Sequence, residues 1–266
     1  MFQGKELFYN RINFNNRAER AVEVPIAFNF LMNRPAGSSI LEVGNVLHHY
    51  ENALSDLLSL RDRRIVDKFE SCDGVDCIDI MDLDSSEKYQ TIISVSTLEH
   101  VGQSCAPGGE FGERKRATDL EAPLKAAAKI YDLLAIGGRA LLTVPFGKLI
   151  DGGWYVQFSA DYLNLLTTKY GLPPEAISLS CLKNVAREPG WNNPCQRWHE
   201  VEPHELDSVR YDTFWGGARS IAVIEFTKSA QPFTLDLVHP PTQLSYESSQ
   251  ILKSLLFTAG LLKKGF

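Results

Sequence analysis

Several acids and one glycine recur at spacings that suit a nucleoside. Glu42 and Gly44 lie in the run Ile40-Leu41-Glu42-Val43-Gly44-Asn45-Val46-Leu47. A glycine at a strand end permits a tight turn and lets a ligand approach the main chain. Asp67 comes 23 residues after Gly44, a spacing at which a strand-end acid accepts hydrogen bonds from ribose hydroxyls. Glu70 is the alternative acceptor on the same loop. Asp79 is placed to accept from an adenine amino group, with Ile80 packed on the ring. The run Ser94-Val95-Ser96-Thr97-Leu98-Glu99-His100-Val101 then delivers Ser96, Glu99 and His100 to another strand end. Imidazole titrates near neutral pH, so His100 is the first candidate general base and Glu99 the second. The plainer alternatives are a histidine that only positions its loop, and for Glu99 a charge at a helix start.

Other chemistries are disfavoured by what is missing. A pyrophosphate needs G-x-G-x-x-G, so that main-chain N–H groups can cradle it. Only Gly44 is present and Val46 stands where the second glycine belongs, which argues against a nicotinamide or flavin dinucleotide. His199, Glu202 and His204 match no zinc spacing, and no metal is expected. Trp191, Arg197 and Trp198 fall in a polar, aromatic segment, residues 191–204. Together with Trp154 and Tyr155 they offer a surface suited to a sugar or another small acceptor; ordinary packing is the alternative for the aromatics. His48 and His49 read as caps of the helix that follows the glycine turn.

Elements that must position these residues are legible as alternating runs. Residues 17–32 read as a helix with Pro25 as a kink or boundary. Short apolar runs at Ile40–Val43, Arg64–Asp67, Val75–Ile80, Thr91–Ser96 and Ala140–Val144 read as strands. Helical spacing covers residues 50–60, 120–136 and 160–170, the second closed by Gly137-Gly138. Ile177–Leu182 and Ser220–Phe226 are later strands, and the long stretch 183–217 between them is expected as a loop. Strands alternating with helices predict a doubly wound α/β sheet, mostly parallel, with helices on both faces. In such sheets ligands bind at the carboxyl ends of the strands.

The formal net charge of −6 sets a polyanion against repulsion, so no nucleic-acid partner is expected. The basic cluster Arg114-Lys115-Arg116 reads as a solvated loop. Five cysteines, Cys72, Cys77, Cys105, Cys181 and Cys195, form no C-x-x-C pair and read as reduced thiols. With no apolar stretch long enough to span a bilayer and no signal-peptide core at the start, a cytoplasmic protein is expected. Residues 1–228 are expected as the main domain, divided at about 38–147 and 148–228, with 229–266 as an extension. Its Pro232, Pro240 and Pro241 favour an extended path, and its end carries an apolar stripe (Ile251, Leu252, Leu255, Leu256) at helical spacing. The end, SSQILKSLLFTAGLLKKGF, is therefore expected as a tail helix that faces protein, with 243–266 in contact with its own domain or a homodimer partner.

The segments LEVGN, RIVDKFE, YQTIISVSTLEHVG and LLAIGGRALLTVPFG resemble the class I S-adenosylmethionine-dependent methyltransferases over roughly residues 38–147. The segment ERAVEVPIA with LEVGNVL is also similar to methyltransferases associated with bacterial surface-glycan gene sets. The resemblance implies a Rossmann-like sheet with an antiparallel last strand, an extra N-terminal helix and S-adenosylmethionine as cofactor. It implies Glu42 and Gly44 at the methionine end, Asp67 at the ribose, Asp79 and Ile80 at the adenine, and Ser96 to His100 at the reacting end. A small molecule or glycan would then be the methyl acceptor. The competing expectation is a non-catalytic scaffold that keeps the fold with a degraded cofactor site.

Overall fold

The computed structural model describes residues 2–5, 7, 18–103, 119–187, 196–211 and 217–248. An eight-stranded sheet carries the fold, in the order β3-β2-β1-β4-β5-β10-β8-β9. Its strands are β1 (Ile40–Val43), β2 (Arg64–Asp67), β3 (Val75–Cys77), β4 (Tyr89–Val95), β5 (Leu134–Pro145), β8 (Ile177–Arg187), β9 (Gln196–Val201) and β10 (Ser220–Thr227). A small second sheet, β11-β6-β7, joins β6 (Ile150–Asp151), β7 (Val156–Gln157) and β11 (Glu247–Ser248).

The first five strands of the large sheet pair in parallel, β3 to β5. β10 runs antiparallel to both β5 and β8, and β9 antiparallel to β8. This is the mostly parallel, doubly wound arrangement with an antiparallel last strand that the sequence predicts. Because side chains alternate across a strand, each strand feeds two cores. Leu41, Val43, Ile92 and Leu142 join one cluster under α3 (Ala122–Leu133) and α4 (Ala160–Thr168). Ile40, Ile93, Val95 and Leu141 join the other, with residues of α1 (Arg20–Met32) and α2 (Glu51–Leu58). Burial on both faces explains why the parallel strands read as continuous apolar runs.

Local signals and tertiary packing disagree at several points. Pro25 lies inside α1 without ending it. An interior proline costs about 3 kcal/mol, and the buried row Ala21, Val24, Ala27, Phe30 and Leu31 against the sheet offsets it. Gly137-Gly138 does not close a helix, since α3 ends at Leu133 and β5 already begins at Leu134. There the chain turns at Gly137 (φ +75°), whose N–H donates to the Lys228 carbonyl. β3 stops at Cys77, because Asp79 caps a 3-10 turn over Ile80–Asp82. The stretch expected as one long loop contains the end of β8 and all of β9, paired antiparallel. Residues 229–246 form neither helix nor strand, with Phe233, Leu235 and Leu237 packed on the core at alternate positions. The helix expected over the tail falls outside the described residues from 249 on.

Candidate functional site

At the carboxyl end of β1 the chain turns through Gly44 at φ +84°. Its N–H donates to the Val66 carbonyl on β2 at 2.8 Å. A Cβ at this position would run into the Thr97 side chain, 2.7 Å from Cγ2. The glycine is therefore required twice, by its backbone conformation and by the segment after β4 that packs on it. Glu42 does not face outward as expected. It is 2% exposed; Oε1 accepts from the Leu47 N–H at 2.8 Å and Oε2 from Arg63 Nε at 2.6 Å. Arg63 also forks onto Glu51. Glu42 thus shapes the turn from behind, and both carboxylate oxygens are held by protein. The polar group at the turn is instead Asn45, whose buried Oδ1 has no partner among the described residues.

Asp67 ends β2, half-buried. Its Oδ1 accepts from the N–H groups of Phe69 and Glu70, at 2.8 and 2.9 Å. Asp79 uses Oδ1 to accept from the Met81 N–H and Oδ2 to accept from Lys68 Nζ at 2.6 Å. Each oxygen thus already accepts one hydrogen bond from the protein, and Asp79 holds its own turn in addition to any role toward an adenine amino group. Ile80, 4% exposed, is a core residue rather than a ring platform.

The end of β4 gathers the densest polar cluster. Ser96 is buried with φ +40°, and its hydroxyl donates to Glu23 Oε1 on α1 at 2.6 Å. The Ser96 hydroxyl proton is therefore committed to the N-terminal helix. Glu23 Oε2 accepts from Arg20 at 2.6 Å, and Glu19 Oε2 from the Ala218 N–H at 2.8 Å. Glu99 is 3% exposed; its Oε2 has no partner among the described residues, and its Oε1 lies 3.8 Å from His100 Nε2. His100 Nδ1 bonds the Trp154 carbonyl at 2.8 Å. A carbonyl only accepts, so Nδ1 carries the proton and Nε2 the lone pair. The imidazole stacks on the Trp154 ring, with centroids 5.2 Å apart and planes 12° from parallel. Tyr155 and Tyr211 extend this aromatic wall.

Burial dominates the electrostatics here. Although 30% of the His100 side chain stays accessible, the atoms packed around the ring push its pKa down to about 4. The imidazole is neutral at pH 7. Burial, reinforced by Glu23, pushes Glu99 well above the usual carboxylate range. Burial and Glu23 likewise raise Glu19 to about 7.

The structure thus unites His100, Glu99 and Trp154, three residues singled out from the sequence, at the carboxyl end of β4. Thr97 links them to the Gly44 turn. Trp198 is elsewhere: it sits on β9, four strands from β4, 7% exposed, with Nε1 donating to Gln196. It belongs to the core and not to a substrate surface. Arg197 is exposed on that same edge strand. Trp191 lies outside the described residues. His48 and His49 are exposed in the 3-10 turn Val46–Tyr50. Glu19, Arg20 and Glu23 were not singled out by the sequence reading. Their i, i+4 acids in Glu19-Arg20-Ala21-Val22-Glu23 were the available signal. A cleft of about 90 Å³ lined by Phe30, Arg34, Ile136 and Arg139 opens at the amino ends of the strands, the opposite end from these residues.

No family model matches the chain, and no curated protein matches it. Solved structures do. The N-methyltransferase NodS from Bradyrhizobium japonicum, in complex with S-adenosyl-L-homocysteine, is 13% identical, covers 76% of this chain and 84% of its own, and superposes with a TM-score of 0.40. The 1,6-didemethyltoxoflavin-N1-methyltransferase of Burkholderia thailandensis is 15% identical over 78% of each chain, with a TM-score of 0.44. The sugar N-methyltransferase KedS8 from Streptoalloteichus is 11% identical, covers 79% of this chain and 88% of its own, and has a TM-score of 0.37. These are proteins that the chain is similar to, and at such values the functional reading rests on the site itself.

Proposed function

We propose that the chain is an S-adenosylmethionine-dependent methyltransferase acting on a small-molecule or glycan-type acceptor. One observation carries the reading. At the carboxyl end of β1, a positive-φ glycine adjoins a buried Asn45 Oδ1 that lacks a donor among the described residues, next to the strand-end acid Asp67. Ligands of a parallel sheet bind at this edge. An ammonium or a ribose hydroxyl supplies the donor that Asn45 lacks, whereas a phosphate supplies none. The residues present therefore fit this cofactor better than a dinucleotide.

In this reading Gly44 and Asn45 hold the methionine end, and Asp67, with Glu70 as the alternative, takes the ribose. When bound, the cofactor brings a methyl group already activated on a sulfonium, so the protein mainly supplies orientation and a dry site. His100 keeps its lone pair at neutral pH and accepts a hydrogen bond from the acceptor group. With a pKa near 4 it orients that group more than it removes a full proton from it. Trp154 holds the imidazole plane, and Glu99 is the second residue at the reacting end. The cytoplasm and a role in glycan biosynthesis belong to this reading; among the described residues no helix is long and apolar enough to cross a membrane.

Two features favour the rival scaffold reading: Thr97 packed over Gly44, and Asp79 held by Lys68. Calorimetry with S-adenosylhomocysteine separates the two. Saturable one-to-one binding that Asp67→Ala weakens by about 1.5–3 kcal/mol supports the enzyme. No heat of binding to the intact chain overturns it.

A further inference from the structure

Among the described residues at the carboxyl end of β4 the acids outnumber the cations. Arg20 is the cation that Glu19, Glu23 and Glu99 all feel, and its NH1 is committed to Glu23. Glu23 spends its other oxygen on Ser96, and Glu19 holds the Ala218 N–H. Glu99 stands apart from these satisfied acids. It is 3% exposed, and its Oε2 accepts from no donor among the described residues. A buried carboxylate without a partner is expensive unless it is neutralised or given a cation. Burial, with the charge of Glu23, pushes its pKa well above the usual carboxylate range. A cation delivered to Oε2 answers both conditions. The flanking groups suit one: the neutral imidazole of His100, the Trp154 ring stacked on it, and Tyr211, which burial keeps in its neutral form. Aromatic faces attract ammonium groups.

We propose that Glu99 Oε2, with Glu19 and Glu23 behind it and the His100–Trp154 stack beside it, binds an alkylammonium group. A hydroxyl of the same size brings a donor but no charge, and leaves the excess of carboxylates unanswered. Two ligands share this chemistry: an acceptor whose methylated atom is an amine nitrogen, and the α-ammonium of the cofactor. Only the choice between these sources rests on the methyltransferase reading; the site does not.

Carbon-13 NMR of glutamate-labelled protein follows the Glu99 carboxyl, assigned by its absence in Glu99→Gln. Methylammonium chloride is the probe, methanol its neutral counterpart and sodium chloride the control for ionic strength. Methylammonium is expected to lower the Glu99 midpoint by about 1–3 pH units, with methanol and sodium chloride leaving it in place. It is also expected to shift the Trp154 indole resonance in the wild type and not in Glu99→Gln. An unmoved midpoint, an equal response to sodium chloride, or a Trp154 shift that survives in Glu99→Gln overturns the proposal. The sources separate in the same titration. Lowering by S-adenosylhomocysteine but not by 5′-methylthioadenosine, which lacks the ammonium, assigns the site to the cofactor. A methylammonium response that persists in protein saturated with S-adenosylhomocysteine assigns it to the acceptor. If S-adenosylhomocysteine does not bind while methylammonium still acts, the methyltransferase reading fails and the ammonium site stands. Cofactor binding with no methylammonium response sinks the ammonium site alone.

Discussion

Gly44 and His100 show how single positions carry the site. At Gly44 any side chain meets both an unfavourable backbone conformation and the Thr97 side chain. Gly44→Val is expected to abolish S-adenosylhomocysteine binding; unchanged affinity in a variant with native circular dichroism removes the cofactor from this turn. For His100 the depressed pKa changes what a pH profile should look like. Its base form persists down to about pH 4, so kcat should show no inflection near 6.5 from this group and should fall only in acid. His100→Ala should lower turnover by roughly 10²-fold, the scale of a lost orienting contact, while cofactor affinity stays near normal; a loss of about 10³–10⁴-fold makes it the general base instead. Loss confined to cofactor binding removes His100 from the reacting end. The same shift has a stability consequence. Between its unfolded value of 6.5 and about 4, the unfolded chain takes up the proton that the folded chain refuses. His100 therefore costs stability as pH falls through that window.

At the scale of elements, buried ion pairs join segments that the sequence separates. Arg63, whose side chain is 2% exposed, precedes β2 and holds Glu42 of β1 and Glu51 of α2. Arg63→Met strands Glu42 and is expected to destabilise the fold by about 3–5 kcal/mol. Adding Glu42→Gln, which still accepts from Leu47, should recover much of that loss in urea unfolding. If the double variant is no better than the single one, the pair does not hold the turn. Glu121, at the start of α3, accepts from Lys169 and Tyr170 near the end of α4 and from the Thr242 N–H in the extension. Burial alone would raise its pKa, but these donors pull it down to about 2. The clamp is complete above pH 4.5 and is lost as pH falls toward 2. Glu121→Gln should lower Tm by roughly 3–10 °C at neutral pH and flatten the acid limb. A wild-type acid limb in the variant refutes the clamp.

For the whole molecule, the extension is bound on both sides of Thr242. Upstream, alternate residues pack on the core. Downstream, β11 pairs in parallel with β6, and Glu247 pairs with Lys148 and Arg210. Deleting residues 243–266 should therefore lower Tm whatever the tail beyond 248 does. If that tail also meets a second copy, the deletion lowers the mass seen in sedimentation. The net charge of −6 opposes an anionic surface, and the intact chain should not sediment with anionic liposomes. Tight binding that the deletion abolishes would reverse that expectation.

The sequence by itself determined the order and kind of the central elements. Ile40–Val43 and Arg64–Asp67 could be read to the residue, since short runs with an apolar centre bounded by turn residues mark strands buried on both faces. It also brought His100, Glu99 and Trp154 into view, because the carboxyl edge of a parallel sheet is where polar strand ends collect. Where each side chain points was decided only by the tertiary structure. Glu42, Asp79 and Ser96 lie in or just beyond the expected strands, yet each is bonded by a group from elsewhere in the chain: Arg63, Lys68 and Glu23. Gly137-Gly138 is a helix stop by local rules and becomes part of β5 because Lys228 bonds it from beyond β10. Trp198 looks like a ligand platform in a polar segment and is core because β9 pairs with β8. Local sequence specifies conformational preference over a few residues. Partnership between carboxylates, cations and rings depends on distances that only the closed sheet and its helices set.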